Sequence, residues 1–131
     1  MSRDSDKYLD LKERTDMANA WEADYFLSVH INAGGGTGFE SYVYNGSKLG
    51  ATLNNRKIIH DEIMKQINVR DRGEKEQNFH VLRETNMPAS LYEFLFIDNE
   101  NDAKLLKKES TLNGFAIGTV NGLEKALKLK K

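Results

Sequence analysis

Apolar residues recur along the chain at two spacings, one typical of helices and the other of strands. A helix is predicted at about 11–22, because Asp10 and Glu13 form a capping-box pair at the start of a stretch with helical spacing. The same spacing predicts further helices at about 49–67, 100–108 and 110–127. Short apolar runs bounded by polar or glycine residues predict strands at about 24–32, 39–44, 79–83 and 90–97.

Strands that alternate with helices indicate an α/β fold, a mostly parallel sheet flanked by helices as in phosphorylase- and hydrolase-like sandwiches. The charged stretch 68–78 is expected to be a surface loop. Gly114, Gly118 and Gly122 are expected to allow close helix–sheet packing. With 131 residues and no internal repeat, the chain is predicted to be a single domain over 1–131. It opens almost directly on a helix, so we expect this domain to be incomplete at its N-terminus.

Composition narrows the classes of protein that this chain can belong to. It has no cysteine, which excludes disulfides and thiolate metal sites. Its net charge of -1 argues against a nucleic-acid binder. No stretch approaches the apolar length of a membrane span, and residues 1–16 lack the apolar core of a signal peptide. If the protein acts outside a cell, we expect its export to depend on something else.

The segment 28–34, with the sequence SVHINAG, is the strongest local signal for chemistry. His30 lies near the carboxyl end of a predicted buried strand, where the functional crevices of open α/β sheets are found. Histidine is the commonest metal ligand, but a lone strand histidine is often a core residue, and both interpretations stay open. The glycine-rich run 34–38 lacks the Gly-Lys-Ser/Thr ending of a phosphate loop, so we expect a turn that lets the backbone approach a ligand.

Glu93 lies among large apolar residues in the segment 91–96. If it is buried there, the carboxylate needs a partner and has a raised pKa, which suits a general acid or base. If the strand simply alternates, Glu93 points to solvent instead. The other histidines are weaker candidates. His60 is expected to be exposed on the charged face of the helix 49–67, and His80 flanks a strand start.

Five segments, in order along nearly the whole chain, carry a family pattern: 2–19, 23–33, 38–42, 81–89 and 91–102. They include the sequences ADYFLSVHINA, GFESY, VLRETNMPA and LYEFLFIDNEND. With these motifs at this spacing, the chain resembles the zinc-dependent N-acetylmuramoyl-L-alanine amidases (amidase type 3), which cut the bond between N-acetylmuramic acid and L-alanine in peptidoglycan. Bacterial autolysins and phage endolysins are among the members of that family.

The resemblance implies roles for individual residues. His30 would be one of three zinc ligands, Glu93 would be the catalytic glutamate that activates a zinc-bound water, and Asn32 and Arg83 would bind substrate. The family's other two ligands, a histidine in a GHGG motif and a glutamate on the first long helix, match no segment here. We therefore expect the first strand and helix to be lacking and the zinc site to be incomplete. Leu95 stands where the family often has glycine, which could alter the floor of the site.

Together these expectations give a functional prediction. The chain should be part of a peptidoglycan hydrolase acting at the cell wall or outside the cell, and alone it should be inactive or weakly active. Peptidoglycan is the expected partner, with no nucleic acid and no membrane span. Two alternatives stay open. One is a non-catalytic module that binds muropeptide, and the other is a self-assembling fragment that forms a homo-oligomer through an exposed sheet edge.

Overall fold

The computed structural model describes residues 1–46 and 50–129, which form four strands and five helices. In chain order the elements are α1 (Leu11–Ala20), β1 (Phe26–Asn32), β2 (Phe39–Tyr44), α2 (Gly50–Met64), β3 (Asp71–Gln77), α3 (His80–Arg83), β4 (Ala89–Phe96), α4 (Glu100–Leu106) and α5 (Glu109–Ala126). Within the described ranges, every helix is too short or too polar to cross a bilayer.

Two helices begin where local sequence places their caps. At the start of α1, the Glu13 backbone N–H donates to the Asp10 carboxylate (2.7 Å), and the Asp10 backbone N–H donates to the Glu13 carboxylate (2.8 Å). This reciprocal pair satisfies two donors that a helix start otherwise leaves without partners. At the start of α4, the Asn99 side chain accepts from the Asp102 N–H (2.9 Å). Both helix starts are therefore fixed by residues within one turn.

The four strands form one sheet in the order β1-β4-β2-β3. β4 pairs in parallel with β1 and antiparallel with β2, and β2 pairs in parallel with β3. Two of the three pairings are parallel, which confirms the predicted mostly parallel sheet. Parallel neighbours need a crossover connection, and α2 supplies the one between β2 and β3, as an α/β fold requires.

Helices cover the two faces of the sheet unequally. On one face, α2 and α5 pack over the main core, whose buried residues are Phe39, Ile59, Ile63, Tyr92, Leu95 and Phe115. On the other face, a smaller cluster beside α3 contains Val81, Leu82, Ala89 and Leu91. The second face is therefore partly open, and polar side chains of β1, β2 and β4 lie on it.

Glycines spaced four residues apart on α5 allow this helix to approach α2 closely. A Cβ on Gly118 would lie 2.5 Å from the Ile63 Cα, and one on Gly122 would lie 2.7 Å from the Ile59 Cα. Side chains do not approach backbone so closely, so only glycine fits. The expected helix–sheet contact is therefore a helix–helix contact.

Two local predictions from the sequence are wrong. Within 68–78, residues Asp71–Gln77 form the edge strand β3 rather than a loop. Edge strands often carry charged side chains, so this strand lacks the apolar alternation that identifies strands in sequence. Residues 79–83 were expected to be a strand, but the short helix α3 lies there and buries Val81 and Leu82. A short apolar run does not distinguish a strand from a helix.

Candidate functional site

Three polar residues lie in a row across the partly open face of the sheet. His30 on β1 is the Cα partner of Glu93 on β4, and Glu93 is the Cα partner of Glu40 on β2. We call these three residues the polar row. Neighbouring strands lie about 4.8 Å apart, so the row spans about 10 Å. The two residues that the sequence singled out for chemistry are therefore direct neighbours.

His30 is half-buried, and its Nε2 lies 2.9 Å from the Ser28 Oγ. Burial, together with the positive charge of Arg14, lowers the pKa of the imidazole below its usual value. The ring is therefore neutral at neutral pH, which is the form that offers a nitrogen lone pair to a metal ion or a proton. This environment is compatible with a ligand role, which stays a prediction.

Glu93 is half-buried in the sheet, and its Oε2 is buried without a hydrogen-bond partner among the described residues. Burial, and to a smaller extent the negative charge of Glu40, raise the pKa of the Glu93 carboxyl. A carboxyl group with a raised pKa holds a proton more readily than an ordinary carboxylate, which suits a group that takes up and returns a proton. Of the two interpretations that the sequence left open, the buried one therefore fits the structure.

Glu40 is a member of the row that the sequence did not single out. It is 3% exposed. Its Oε1 accepts from the Asn32 Nδ2 (2.9 Å) and the Tyr42 hydroxyl (2.7 Å), and its Oε2 accepts from the Arg72 Nε (2.7 Å) and the Lys75 Nζ (2.5 Å). Burial raises the pKa of Glu40, but the hydrogen bonds from Lys75, Tyr42 and Arg72 outweigh it and lower the pKa to about 2. Glu40 therefore stays ionised and fixes a negative charge in the row.

The structure brings one of the two predicted substrate-binding residues to the polar row. Asn32 lies at the carboxyl end of β1, and its hydrogen bond to Glu40 fixes the carboxamide there. Arg83 is exposed on α3, where it donates to the Asn78 and Glu84 side chains (2.6 Å each). Since α3 leads to the amino end of β4, Arg83 is held away from Asn32. Both substrate-binding roles stay predictions.

The glycine-rich loop 33–38 is anchored by two carboxylates that follow β4. Asp98 accepts from the Gly34 and Gly35 N–H groups (2.8 and 2.9 Å). Asp102 is 3% exposed and accepts three hydrogen bonds, from the Thr37 hydroxyl and from the N–H groups of Gly38 and Phe96. These hydrogen bonds hold the loop beside the carboxyl end of β1, and the approach of its backbone to a ligand stays a prediction.

Leu95 has a φ of 68°, in the left-handed region that favours glycine. β4 carries one extra residue at this point, because His30 pairs with Glu93 whereas Asn32 pairs with Phe96. The Leu95 side chain is fully buried in the main core, on the face opposite the polar row. Leucine at this position therefore contributes to the core, and the expectation that it alters the floor of the site is wrong.

His60 is buried, with 2% of its surface exposed, and the expectation that it faces solvent is wrong. Its Nδ1 lies 2.7 Å from the Ser41 Oγ, and its Nε2 lies 2.9 Å from the Asp71 Oδ1. The order Ser–His–Asp resembles that of hydrolytic triads. Ser41 is 0% exposed, however, so no substrate reaches its hydroxyl. These hydrogen bonds instead tie α2 to β2 and β3.

Metal binding depends on whether the side chains that could bind an ion lie close enough together to do so. Within 1–46 and 50–129, no three His, Cys, Asp or Glu side chains are grouped so that they could hold a metal ion. The five other residues of the chain are serine, leucine and lysines, which are none of these types. Catalytic zinc takes three protein ligands and a water. His30 offers one nitrogen, so the residues present do not make up a complete zinc site.

Comparisons with known proteins agree with this arrangement. Residues 1–125 match the profile of the N-acetylmuramoyl-L-alanine amidase family. The whole chain is 54% identical over 132 residues to the N-acetylmuramoyl-L-alanine amidase CwlM of Bacillus licheniformis. It is 49% identical over 136 residues to the endolysin of Bacillus phage SPP1. The chain spans about half the length of these curated relatives, 51% and 50% respectively.

Solved amidase structures have the same fold. The crystal structure of N-acetylmuramoyl-L-alanine amidase from Clostridium difficile 630 is similar with a TM-score of 0.91 and 35% identity, over 99% of this chain and 72% of that chain. The catalytic domain of CwlV, from Bacillus (Paenibacillus) polymyxa var. colistinus, is similar with a TM-score of 0.91 and 32% identity, over 98% of this chain and 72% of that chain.

Proposed function

Because this chain belongs to the N-acetylmuramoyl-L-alanine amidase family, we propose that it carries the substrate-facing part of a peptidoglycan hydrolase. The bond cut is the amide between N-acetylmuramic acid and the L-alanine of the stem peptide, and the site of action is the cell wall. The observation that supports this function is the polar row, where a neutral imidazole lies beside a carboxyl group of raised pKa.

In this proposal Glu93 moves the proton. Its carboxylate takes a proton from the water that attacks the amide carbonyl, and returns it to the alanine nitrogen as the C–N bond breaks. Its Oε2 is buried and accepts no hydrogen bond from the described residues, so no other described group occupies this oxygen. Asn32 orients the substrate, with its carboxamide held by Glu40. Arg83 would bind a more distant part of the substrate.

The family is generally zinc-dependent, and bound zinc supplies a polarised water for the attack. His30 would be a ligand, but one nitrogen does not hold zinc tightly, and three protein ligands are the rule. The residues present therefore do not support a step through bound zinc. Hydrolysis by this chain alone is expected to be weak or absent, and a non-catalytic module that binds muropeptide is the second candidate function.

Binding of N-acetylmuramoyl-L-alanine tests the proposed substrate directly. We expect saturable binding by the chain, and an affinity about 5- to 10-fold weaker in Asn32→Ala, since a lost hydrogen bond to a ligand costs about 1 kcal/mol. Lys125→Met is a matched control, because Lys125 lies on α5, on the opposite face of the sheet. Isothermal calorimetry measures all three affinities. Absence of saturable binding, or equal affinities of wild type and Asn32→Ala, would contradict the proposal.

We also propose that two copies of the chain associate through the outer edge of β1. Among the described strands, β1 pairs only with β4, and it contains no Lys, Arg, Asp or Glu. Val29 and Ile31 are 51% and 54% exposed on it, beside a groove of about 580 Å³ between β1 and α1. The opposite edge strand β3, with the sequence DRGEKEQ, is charged. Natural sheets protect free edges with charges, so β3 is protected and β1 is not.

Light scattering across concentration measures this association. We expect the average mass to rise from the micromolar to the millimolar range, because antiparallel pairing of two β1 strands buries Val29 and Ile31 without burying a charge. Ile31→Lys should shift the chain towards monomer. Leu53→Lys is a matched control on α2, where Leu53 is 39% exposed. A strict monomer at every concentration would refute the association.

A further inference from the structure

A β-bulge in β3 places two cations on the face of the polar row. Phe39 pairs with Asp71, but Ser41 pairs with Glu74, so β3 contains one more residue than β2 over this stretch. Gly73 has a φ of 91°, which favours glycine, and its N–H donates to the Asp71 carboxylate (2.8 Å). Bulges of this kind redirect side chains and are frequent next to active sites.

The consequence of the bulge is that Arg72 and Lys75, three residues apart, reach the same carboxylate. In a regular strand, residues at this spacing point to opposite faces. Here both donate to the Glu40 Oε2, at 2.7 and 2.5 Å. Glu74, which lies between them in sequence, points to the other face, where it pairs with Arg56 and Lys57 of α2. Because of the bulge, the cations Arg72 and Lys75 lie on the face of the polar row, whereas Glu74 lies on the opposite face.

The two cations share one buried carboxylate, which leaves one positive charge without a partner among the described side chains. Glu40 cannot balance the second cation, because it carries one negative charge and its two oxygens already accept four hydrogen bonds. The side chains of Arg72 and Lys75 are 25% and 37% exposed, so both cations are partly accessible to solvent. Glu93, the other carboxylate of the row, forms no ion pair with either cation in the described part of the chain.

Arg72 is also held in place from its other side. Its guanidinium lies 4.8 Å from the centroid of the Phe96 ring. A Cβ on Gly36 would come within 2.6 Å of the same ring and 3.1 Å of the Arg72 Nη1, so a larger residue there would displace both. The guanidinium therefore sits at the wall of the site between the loop 33–38 and β4, and it is preorganised rather than free.

We propose that Arg72 and Lys75 form an anion subsite that binds the α-carboxylate of the second residue of the stem peptide, an isoglutamate. This inference rests on the proposed function and adds a substrate preference to it. The strand β3 lies two strands, about 10 Å, from Glu93, and both cations reach back towards Glu40. One extended residue spans at most about 3.6 Å. A carboxylate one residue beyond the cleaved amide can therefore reach the space between the row and β3.

Two ligands that differ in one group test the subsite: N-acetylmuramoyl-L-alanyl-D-isoglutamate and its α-carboxamide. The chain should bind the acid at least about 5-fold more tightly than the amide, because charge-assisted hydrogen bonds are stronger than neutral ones. The ratio of the two affinities, that for the acid divided by that for the amide, should fall at high ionic strength. Lys75→Met should bring the ratio close to one, Lys75→Arg should restore it, and the control Lys125→Met should leave it unchanged.

The outcomes separate the subsite from the function that it serves. If both ligands bind wild type with equal affinity and shift the NMR signals of Asn32 and Glu93, the proposed function stands and the subsite is refuted. If the acid is preferred but Lys75→Met keeps the full preference, the subsite is refuted as well. If neither ligand binds, both proposals fail. The unfolding midpoint of each variant, measured in urea, establishes that a changed ratio reflects the lost cation in a folded chain.

Discussion

Replacing Glu40 with glutamine should lower the free energy of unfolding by about 3 kcal/mol at pH 7. The pKa of Glu40 is lowered from 4.5 to about 2 in the folded chain, and each pKa unit corresponds to about 1.4 kcal/mol. The Glu40 side chain is 4% exposed, so solvent screens its ion pairs little. Glutamine keeps the shape and one acceptor oxygen but leaves Arg72 and Lys75 without a counter-charge.

The pH dependence follows from the direction of this shift. The folded pKa of Glu40 lies below the unfolded one, so the unfolded chain binds the proton more readily in acid. The stabilisation is fully present above about pH 4.5 and is lost as the pH falls towards about 2. Urea unfolding of wild type at several pH values should therefore show a decline across that window. In Glu40→Gln the decline should be shallower.

Glu100→Gln is the matched control for this prediction. The Glu100 side chain is 85% exposed and pairs with Lys104 at 3.2 Å on the surface of α4. Exposed pairs of this kind contribute at most about 1 kcal/mol. Equal free energies of unfolding for Glu40→Gln and Glu100→Gln at pH 7, with the same dependence on pH, would contradict the stabilising role of Glu40.

Local signals in the sequence were sufficient for much of the fold. The cap at Asp10 and Glu13 and the compact apolar runs identified α1, β1, β2 and β4 with small errors at their ends. The motifs that carry the family resemblance also pointed to His30 and Glu93. Local sequence signals do not predict the order of the strands. The position of β4 between β1 and β2 depends on contacts between residues more than 40 positions apart in sequence.

Glu40 shows why part of the site was missed. Its importance comes from Arg72 and Lys75, and these lie in a stretch that looks like a charged loop. Only the pairing of β2 with β3, and the bulge at Gly73, bring the two cations to its carboxylate. His60 was misjudged for a similar reason. Its partners Ser41 and Asp71 lie on other elements, so its neighbours in sequence gave no sign that it is buried.

Hydrolysis of peptidoglycan by this chain should be much slower than hydrolysis by a related amidase. We expect this chain to release L-alanine amino termini from purified peptidoglycan at least about 1,000-fold more slowly, per mole, than the amidase CwlM of Bacillus licheniformis. A complete zinc site lowers the pKa of bound water from about 15.7 to about 7, and tenfold in rate corresponds to about 1.4 kcal/mol of barrier. His30 alone does not provide such a site among the residues present.

Glu93→Gln serves as the internal reference for this assay. If the residual rate of wild type exceeds that of Glu93→Gln, the remaining hydrolysis passes through the proposed proton-transfer group. If the two rates are equal, the residual rate is background, and the chain acts as the muropeptide-binding module. Addition of zinc should raise the wild-type rate little, since one imidazole binds the ion weakly.

One NMR time course shows whether the polar row binds the muramoyl amide and whether the chain, without a full set of zinc ligands, cleaves it. Isotope-labelled chain is mixed with N-acetylmuramoyl-L-alanine and zinc, so that binding and cleavage are observed in the same sample. We expect shifted signals for His30, Asn32 and Glu93, with little free L-alanine formed over hours. Shifts confined to other parts of the chain, or rapid release of L-alanine that a chelator abolishes, would contradict this expectation.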